Sequence, residues 1–493
     1  MVDTETGVKF VLKTDAERRR SPTMTDRRSV QTNICALTDA YKENHWSQYP
    51  DGTEIVYSYF ESRTGAKYPI VPFFGLQYIL IRHFVGNVVT REGIDEAETL
   101  CRHLFGADGY FNRAGWEHIL SEHEGRLPLS IKAVPEGTPV TANNVLMTVE
   151  NTDPMCYWLT NFAETLLSQV WYPSTVSALS YAVKQSIRQY HELTSENALL
   201  EYSLHDFGYR GATCYEAAGI GGAAHLLHFL GTDTLAAIET ARDFYGAPYE
   251  GLAASVRATE HSIMTALGKD GEAQVLDDLL TKYPDGILSV VADSYDIYRF
   301  VDEFVGEKFQ QCIAARKGVL VVRPDSVTTI HSSPQAEMVW ILDTLRKHYG
   351  ATLNAKGYCV LHPKVRVLWG DGLDPDKIHA ILSTVTKNGY ASENIACFGM
   401  GGGLLQKVHR DVQRFAFKSS AQCRNGEWHD IWKQPLDASK ASKRGRMKLV
   451  KDEFGFMTVS ERDPRPDALV EVFRDGALTK EITFAEAREN TKR

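Results

Sequence analysis

A chain of 493 residues exceeds what one hydrophobic core usually serves, so its length favours two domains over one. With 43% hydrophobic and 24% charged residues the composition is that of an ordinary water-soluble globular protein, and no run approaches the roughly 18 apolar residues that a membrane span needs. A formal net charge of −9 makes the surface as a whole repel nucleic acid, so any anionic ligand must be held by a local cluster of Arg and Lys.

Residues 1–32 mix basic and acidic side chains around one short apolar run, Val8 to Leu12, interrupted by Lys9. They read as a flexible polar extension and not as a secretory signal. Ordered structure is expected from Asn33, with an aromatic strand over Ile55–Phe60. Thr90 is placed to cap a helix whose Ile94, Ala97, Cys101, Leu104 and Phe105 share a face. Residues 130–150 alternate apolar and polar around Pro-Glu-Gly and Asn-Asn turns, giving short strands, so the first 150 residues suggest a mixed α+β domain. The eight cysteines stand singly, with no C-x-x-C and no cysteine–histidine pair at zinc spacing, as free thiols in a reducing cytosol would.

From Tyr157 the texture changes to a long helical stretch, a strand over Glu201–Leu204 and a helix over Tyr215–Leu227. Four apolar β-rich runs follow, each ending in charged residues or glycines. Ile287–Val291 leads into Asp293, and Val319–Val322 into Arg323 and Asp325. Val365–Trp369 leads into Gly370-Asp371-Gly372, and Ile395–Phe398 into Gly399–Gly403. Helical spacing over Gln335–His348 and Pro375–Asn388 supplies crossovers, so the pattern reads as βα units with functional groups at the carboxyl ends of parallel strands. Carboxylates, an arginine and successive glycine amides suit a sugar phosphate bound with a divalent metal. Beyond Arg410 the chain is polar and irregular, and the basic loop Lys440, Lys443, Arg444, Arg446 and Lys448 reads as a solvated face. No composition break isolates this end, so it is expected to return to the first domain.

Three motifs mislead. Asp206-Phe207-Gly208 and His409-Arg410-Asp411 imitate kinase signatures in reversed order, without a nucleotide loop. Gly219–Ala224 fits a dinucleotide fingerprint but sits inside a helical pattern, where small residues serve close packing. Gly399–Gly403 follows a strand yet lacks the partners of a dinucleotide site, and reads as a phosphate loop.

Taken in order, LTDAYKENHWSQYPDGT at 37–53, YSYFESR at 57–63, HDFGYRG at 205–211, GTDT at 231–234, EHS at 260–262, SVVADSYDIY at 289–298, VRPDS at 322–326, GDG at 370–372 and GMGGGLLQK at 399–407 resemble the nicotinamide phosphoribosyltransferase family. The resemblance implies a type II phosphoribosyltransferase-like irregular α/β barrel over 156–404, and a mixed α+β domain over 33–155 completed by about 405–493. It implies transfer of phosphoribose from phosphoribosyl pyrophosphate to nicotinamide, releasing pyrophosphate, with Mg²⁺ and with ATP as co-substrate.

The same resemblance assigns residues to roles. Phe207 is one wall of the base site, and Tyr41, with Asp39 beside it, comes from a second subunit of a homodimer. Asp233 accepts from the base's amide and Arg323 donates to its carbonyl. Asp293, Asp325 and Asp371 flank the ribose, while Gly370, Gly401 and Gly402 cradle the 5′-phosphate. Arg63, Arg210, Arg410, Lys418 and Lys433 meet the pyrophosphate. His261 is the histidine phosphorylated by ATP, and Ser255 and Ser289 support the pocket. Val327 stands where the family commonly has glycine, and because a β-branched residue resists positive φ, the Asp325 loop is expected to differ in shape. A nicotinate-specific enzyme, and a silent homologue serving as a binding protein, stay as alternatives.

Overall fold

The computed structural model describes residues 32–436 and 441–493, so all but the last residue of the expected extension, and Lys440 of the basic loop, fall outside the described residues. Two seven-stranded sheets organise the rest.

The first sheet is antiparallel and interleaves the two ends of the chain, in the order Glu427–Asp430, Phe415–Arg424, Thr53–Ser62, Val145–Asn151, Leu129–Ala133, Val470–Arg474, Ala477–Leu478. Thr53–Ser62 is its spine. Tyr57, Tyr59 and Phe60 are buried there, and Tyr59 lies opposite Lys418 and Thr148 on the flanking strands. Aromatic and β-branched residues suit a strand covered on both faces, which is why this run reads clearly in the sequence.

The second sheet is parallel, in the order Gly231–Thr232, Leu204–Asp206, Ile395–Met400, Val365–Trp369, Val319–Arg323, Ile287–Val291, Arg257–Ala258. Its edges are joined through one short segment: Gly231 bridges Ala254, and Arg257–Ala258 pairs with Leu288 and Ser289. The sheet thus curls back on itself as an irregular barrel. Its outer helices begin where the sequence marks them. Ser333 caps Pro334–Tyr349 by accepting from Ala336 N at 3.2 Å, and Asp374 caps Pro375–Lys387 by accepting from Lys377 N at 2.9 Å. In both, proline follows the cap, where its missing N–H costs nothing. Met338, Ile341, Leu342 and Leu345 are fully buried on the inner face of the first of these helices.

Three expectations need correction. The strand expected over Glu201–Leu204 is a 3₁₀ turn, Leu200–Tyr202, followed by Leu204–Asp206, which carries His205 and Asp206 into the sheet. In Arg91–Phe105, Leu104 is 60% exposed, because the 3.6-residue period turns it to the margin of the stripe set by Ile94, Ala97 and Cys101. The basic loop is not a solvated face: Lys443 pairs with Glu61, Arg446 with Glu150 and Glu461, and Lys448 donates to the carbonyls of Asp463 and Arg465. Its residues open the hairpin Met447–Asp452 and Gly455–Ser460. Val327 is not among the residues with positive φ, in keeping with its β-branched side chain. The helix-borne glycines behave as read: a Cβ on Gly219 would stand 2.3 Å from Thr240 Oγ1, and one on Gly222 2.6 Å from Ala237 Cβ.

Candidate active site

The carboxyl ends of the parallel strands open into a cavity of about 690 Å³ lined by Phe207, Tyr209, Arg210, Asp233, Thr234, Glu260, His261, Ser262, Arg323 and Asp325. That volume suits a small ligand. Phe207 leaves its strand and lays its ring across two neighbouring strand ends: a Cβ on Gly399 would lie 2.1 Å from Phe207 Cε2, and one on Gly370 3.3 Å from it. These glycines exist so that an aromatic face can rest on bare backbone. Gly399, in the run read from sequence as a phosphate loop, thus serves the aromatic ring.

Asp233 lines the same cavity as a polar group. His205 Nε2 lies 3.0 Å from its Oδ1, and Ser255 Oγ donates to the same oxygen at 2.6 Å. Burial pushes this carboxyl up, but hydrogen bonds from His205 and Ser255 and the charges of His205 and Arg323 outweigh it, so it sits below the usual value and is ionised at neutral pH. With Oδ1 committed, Oδ2 remains for a ligand. Arg323 closes the strand Val319–Arg323, donates through Nη2 to Thr259 O at 2.9 Å, and keeps a buried Nε with no partner among the described residues. The sequence motif contains His205, but its function as the clamp on Asp233 was missed; it depends on the strand Leu204–Asp206 lying beside Gly231–Thr232.

At the same mouth, acids gather around an imidazole. His261 opens the short helix His261–Met264, with Nε2 3.4 Å from Asp325 Oδ2 and 4.0 Å from Asp293 Oδ1, and Nδ1 3.3 Å from Ser294 Oγ. The Asp293 side chain is only 6% exposed; its Oδ2 accepts from Ser326 Oγ at 2.5 Å, and its buried Oδ1 has no hydrogen-bond partner among the described residues. Burial, then the charges of Asp325 and Asp293, push the Asp371 carboxyl up. A buried, unsatisfied carboxylate oxygen amid further carboxylates is the donor set a hard divalent cation takes. Gly370 and Asp371 follow Val365–Trp369, and Gly401 and Gly402 close the adjacent strand and open the turn Gly402–Leu405. A Cβ on Gly403 would meet Leu373 O at 2.2 Å, so the glycine turn is tightly packed.

The remaining expected residues form a second group. Asp39 stands at the N-terminal boundary of the 3₁₀ helix Ala40–Ser47 without a side-chain cap bond and accepts from Thr165 Oγ1 at 2.8 Å, while Tyr41 on that helix is 63% exposed. Burial, then the charges of Glu164 and Asp39, push the Tyr41 phenol up. Burial pulls Lys418 down; Glu164 opposes this, and the charges of Arg63, Lys433 and Arg410 add to it, so these cations share one neighbourhood. Arg63 is also tied to Arg414 O through Nε at 3.3 Å. Neither Tyr41 nor any of these four cations lines the Phe207 cavity; of the expected pyrophosphate ligands, Arg210 alone does. Ser289 does not line that cavity; it is buried within Ile287–Val291, its hydroxyl without a partner among the described residues.

Residues 202–476 match the nicotinate phosphoribosyltransferase (NAPRTase) family, and residues 33–131 match the nicotinamide phosphoribosyltransferase N-terminal domain. The chain is 43% identical over 470 residues to a nicotinamide phosphoribosyltransferase of Xanthomonas campestris pv. campestris, covering 92% of this chain and 97% of that relative. It is 33% identical to one of Acinetobacter baylyi, covering 94% and 97%. Among solved structures, a nicotinate-nucleotide pyrophosphorylase from Pyrococcus furiosus superposes with a TM-score of 0.58 at 15% identity, covering 94% of this chain and 97% of that one. Human nicotinic acid phosphoribosyltransferase gives 0.54 at 14%, covering 92% and 93%. At such identities these two structures speak to the fold, which is the barrel with its antiparallel companion.

Proposed function

Since the chain belongs to the nicotinamide phosphoribosyltransferase family, we propose that it condenses nicotinamide with 5-phosphoribosyl 1-pyrophosphate, giving nicotinamide mononucleotide and pyrophosphate. The observation that carries the choice of base is Asp233, ionised and with one oxygen free. That oxygen accepts from the amide NH₂ while Arg323 donates to the amide carbonyl, and Phe207 supports the ring. A nicotinate carboxylate in the same place would meet a like charge, which disfavours the acid.

The pyridine nitrogen attacks C1 of the ribose as the C1–O bond to pyrophosphate breaks; the leaving oxygen takes the bonding pair, and no proton moves. No nucleophilic side chain is needed, so the protein's work is placement and charge stabilisation. Asp293, Asp325 and Asp371 hold ribose hydroxyls and stabilise positive charge growing at C1, and Gly370, Gly401 and Gly402 receive the 5′-phosphate. Mg²⁺ fits the open oxygens of Asp293 and its neighbours, and would supply charge neutralisation for the departing pyrophosphate. Arg210 meets that pyrophosphate from within the barrel. Arg63, Arg410, Lys418 and Lys433, with Tyr41 and Asp39, complete the site from the partner of a homodimer; their grouping away from the Phe207 cavity supports this. ATP phosphorylates His261, which is half-exposed between carboxylates and Ser294. The eight free thiols suit a reducing cytoplasm, and no described helix is long and apolar enough to cross a membrane.

The test is to supply nicotinamide, phosphoribosyl pyrophosphate and Mg²⁺ to the purified chain and quantify both products. Nicotinamide mononucleotide and pyrophosphate in equal amounts are expected; neither product would overturn the proposal and favour a silent homologue.

A further inference from the structure

Far from the barrel mouth in the sequence, four potential ligands converge at the margin of the antiparallel sheet. His118 Nε2 and His123 Nε2 each lie 2.7 Å from a single oxygen, Asp153 Oδ2. Cys156, fully buried, completes a group whose ligand atoms all lie within 4.8 Å of one another. None of the four lines the Phe207 cavity.

Local structure fixes each of them. His118 sits within the helix Arg113–Glu122, and His123 is its C-cap. Beyond it the chain reverses through Glu124 and Gly125, both with positive φ. Asp153 caps the 3₁₀ turn Pro154–Cys156 by accepting from Met155 N through Oδ1 at 2.8 Å, so its other oxygen is held toward the histidines and Cys156 follows on the same turn. Two residues from His118 and from Cys156 in the chain, Trp116 and Trp158 pack edge to face with each other and with Phe162, ring centroids 4.8 to 5.9 Å apart, which ties the two segments together. Backbone structure therefore holds the four side chains close together before any ion arrives.

We propose that His118, His123, Asp153 and Cys156 form a structural zinc site that staples the helix Arg113–Glu122 to the turn leaving the strand Val145–Asn151. Two neutral imidazoles, one carboxylate and one thiolate are a set that zinc accepts, and their two negative charges balance the ion in a mostly buried place. The geometry is near to hand. A tetrahedral zinc with bonds of about 2.0 to 2.3 Å needs ligand atoms roughly 3.3 to 3.7 Å apart. The two short contacts must open by about half an ångström, and the longest separation must close by about one. Binding displaces one proton from the Cys156 sulfur, and the sulfur lone pair becomes the metal bond; no oxidant or reductant takes part. Sequence spacing alone hid the set, because its histidines and its Asp-x-x-Cys come from elements 30 residues apart.

The test uses the full-length, untagged protein, stripped with a chelator and kept free of Mg²⁺ and substrates. Zn²⁺ is expected to bind at one equivalent per chain and to raise the melting temperature. Co²⁺ substitution is expected to give a tetrahedral ligand-field spectrum with a thiolate charge-transfer band, and Cys156→Ser to abolish that band. His118→Ala and His123→Ala should each weaken Zn²⁺ affinity at least ~10-fold, the lower bound for loss of even an outer partner. Should either variant fold poorly, the Co²⁺ spectrum of the unaltered chain still decides. Binding well below one equivalent, a Co²⁺ spectrum without the thiolate band, or the same band in Cys156→Ser would overturn the proposal and leave the four residues as a hydrogen-bonded cluster only.

Discussion

Replacing Asp233 by Asn tests the base-recognition argument at one atom. Asn keeps an acceptor for the His205 and Ser255 contacts, now at 3.0 and 2.6 Å, but presents an NH₂ where the free carboxylate oxygen was. A hydrogen bond to a charged group contributes about 1.5–3 kcal/mol, so nicotinamide loses roughly that amount and nicotinate, relieved of repulsion, gains a comparable one. The Asp233 side chain is 50% exposed, so solvent screening calls for the lower end on both sides. A net swing of about 3 kcal/mol is on the order of a 10²-fold change in the ratio of kcat/KM for the two bases. The assay is steady-state mononucleotide formation with each base at fixed phosphoribosyl pyrophosphate and Mg²⁺. An unchanged ratio, with the variant folded and active, would refute the assignment of Asp233 as the group that reads the amide.

Four further outcomes follow from the same geometry. His261→Ala should retain basal transfer but lose both ATP stimulation and acid-labile labelling by γ-labelled ATP; an intact ATP response would remove His261 from that role. Gly399→Ala would place a Cβ 2.1 Å from the Phe207 ring, and should raise the KM for nicotinamide while costing about 1–3 kcal/mol of stability in chemical denaturation. Mixed Tyr41→Ala and Phe207→Ala subunits should recover about a quarter of wild-type activity, because half of randomly paired dimers carry one intact site of two; no recovery on subunit exchange would argue for sites within one chain. Burial pushes the Asp206 carboxyl from 3.8 up to about 6, beyond what the Gly208 N–H offsets. The unfolded chain then releases this proton first as pH rises, so folded stability falls between about pH 4 and 6 and stays lower above. Asp206→Asn should be more stable by roughly 2–3 kcal/mol at pH 7.5 and little changed at pH 3.5 in urea titrations.

Four of the seven parallel strands were legible because each is a continuous apolar run ending in charged residues or glycine, as buried βα units require, and the outer helices announce themselves through Ser333-Pro334 and Asp374-Pro375. The segment that joins the barrel edges was not, since Arg257–Ala258 is a two-residue, exposed strand with no apolar signal. Within the site, Phe207, Asp233, His261, Arg323 and the acids arrive at one mouth because they follow adjacent strands. His205, by contrast, acquires its place only through pairing with a neighbouring strand. The basic loop misled for the same reason: Lys443 meets Glu61 and Arg446 meets Glu150, partners hundreds of residues away that no local charge pattern reveals. What sequence spacing could not express was contact between distant elements.

The central claim is that this cavity selects a neutral amide for phosphoribosyl transfer. Equimolar nicotinamide and nicotinate should compete in one reaction with limiting phosphoribosyl pyrophosphate and Mg²⁺, with the two mononucleotides quantified by mass spectrometry. The amide product is expected to dominate by about 10²-fold or more; a product ratio near unity, or in favour of nicotinate mononucleotide, would contradict the account.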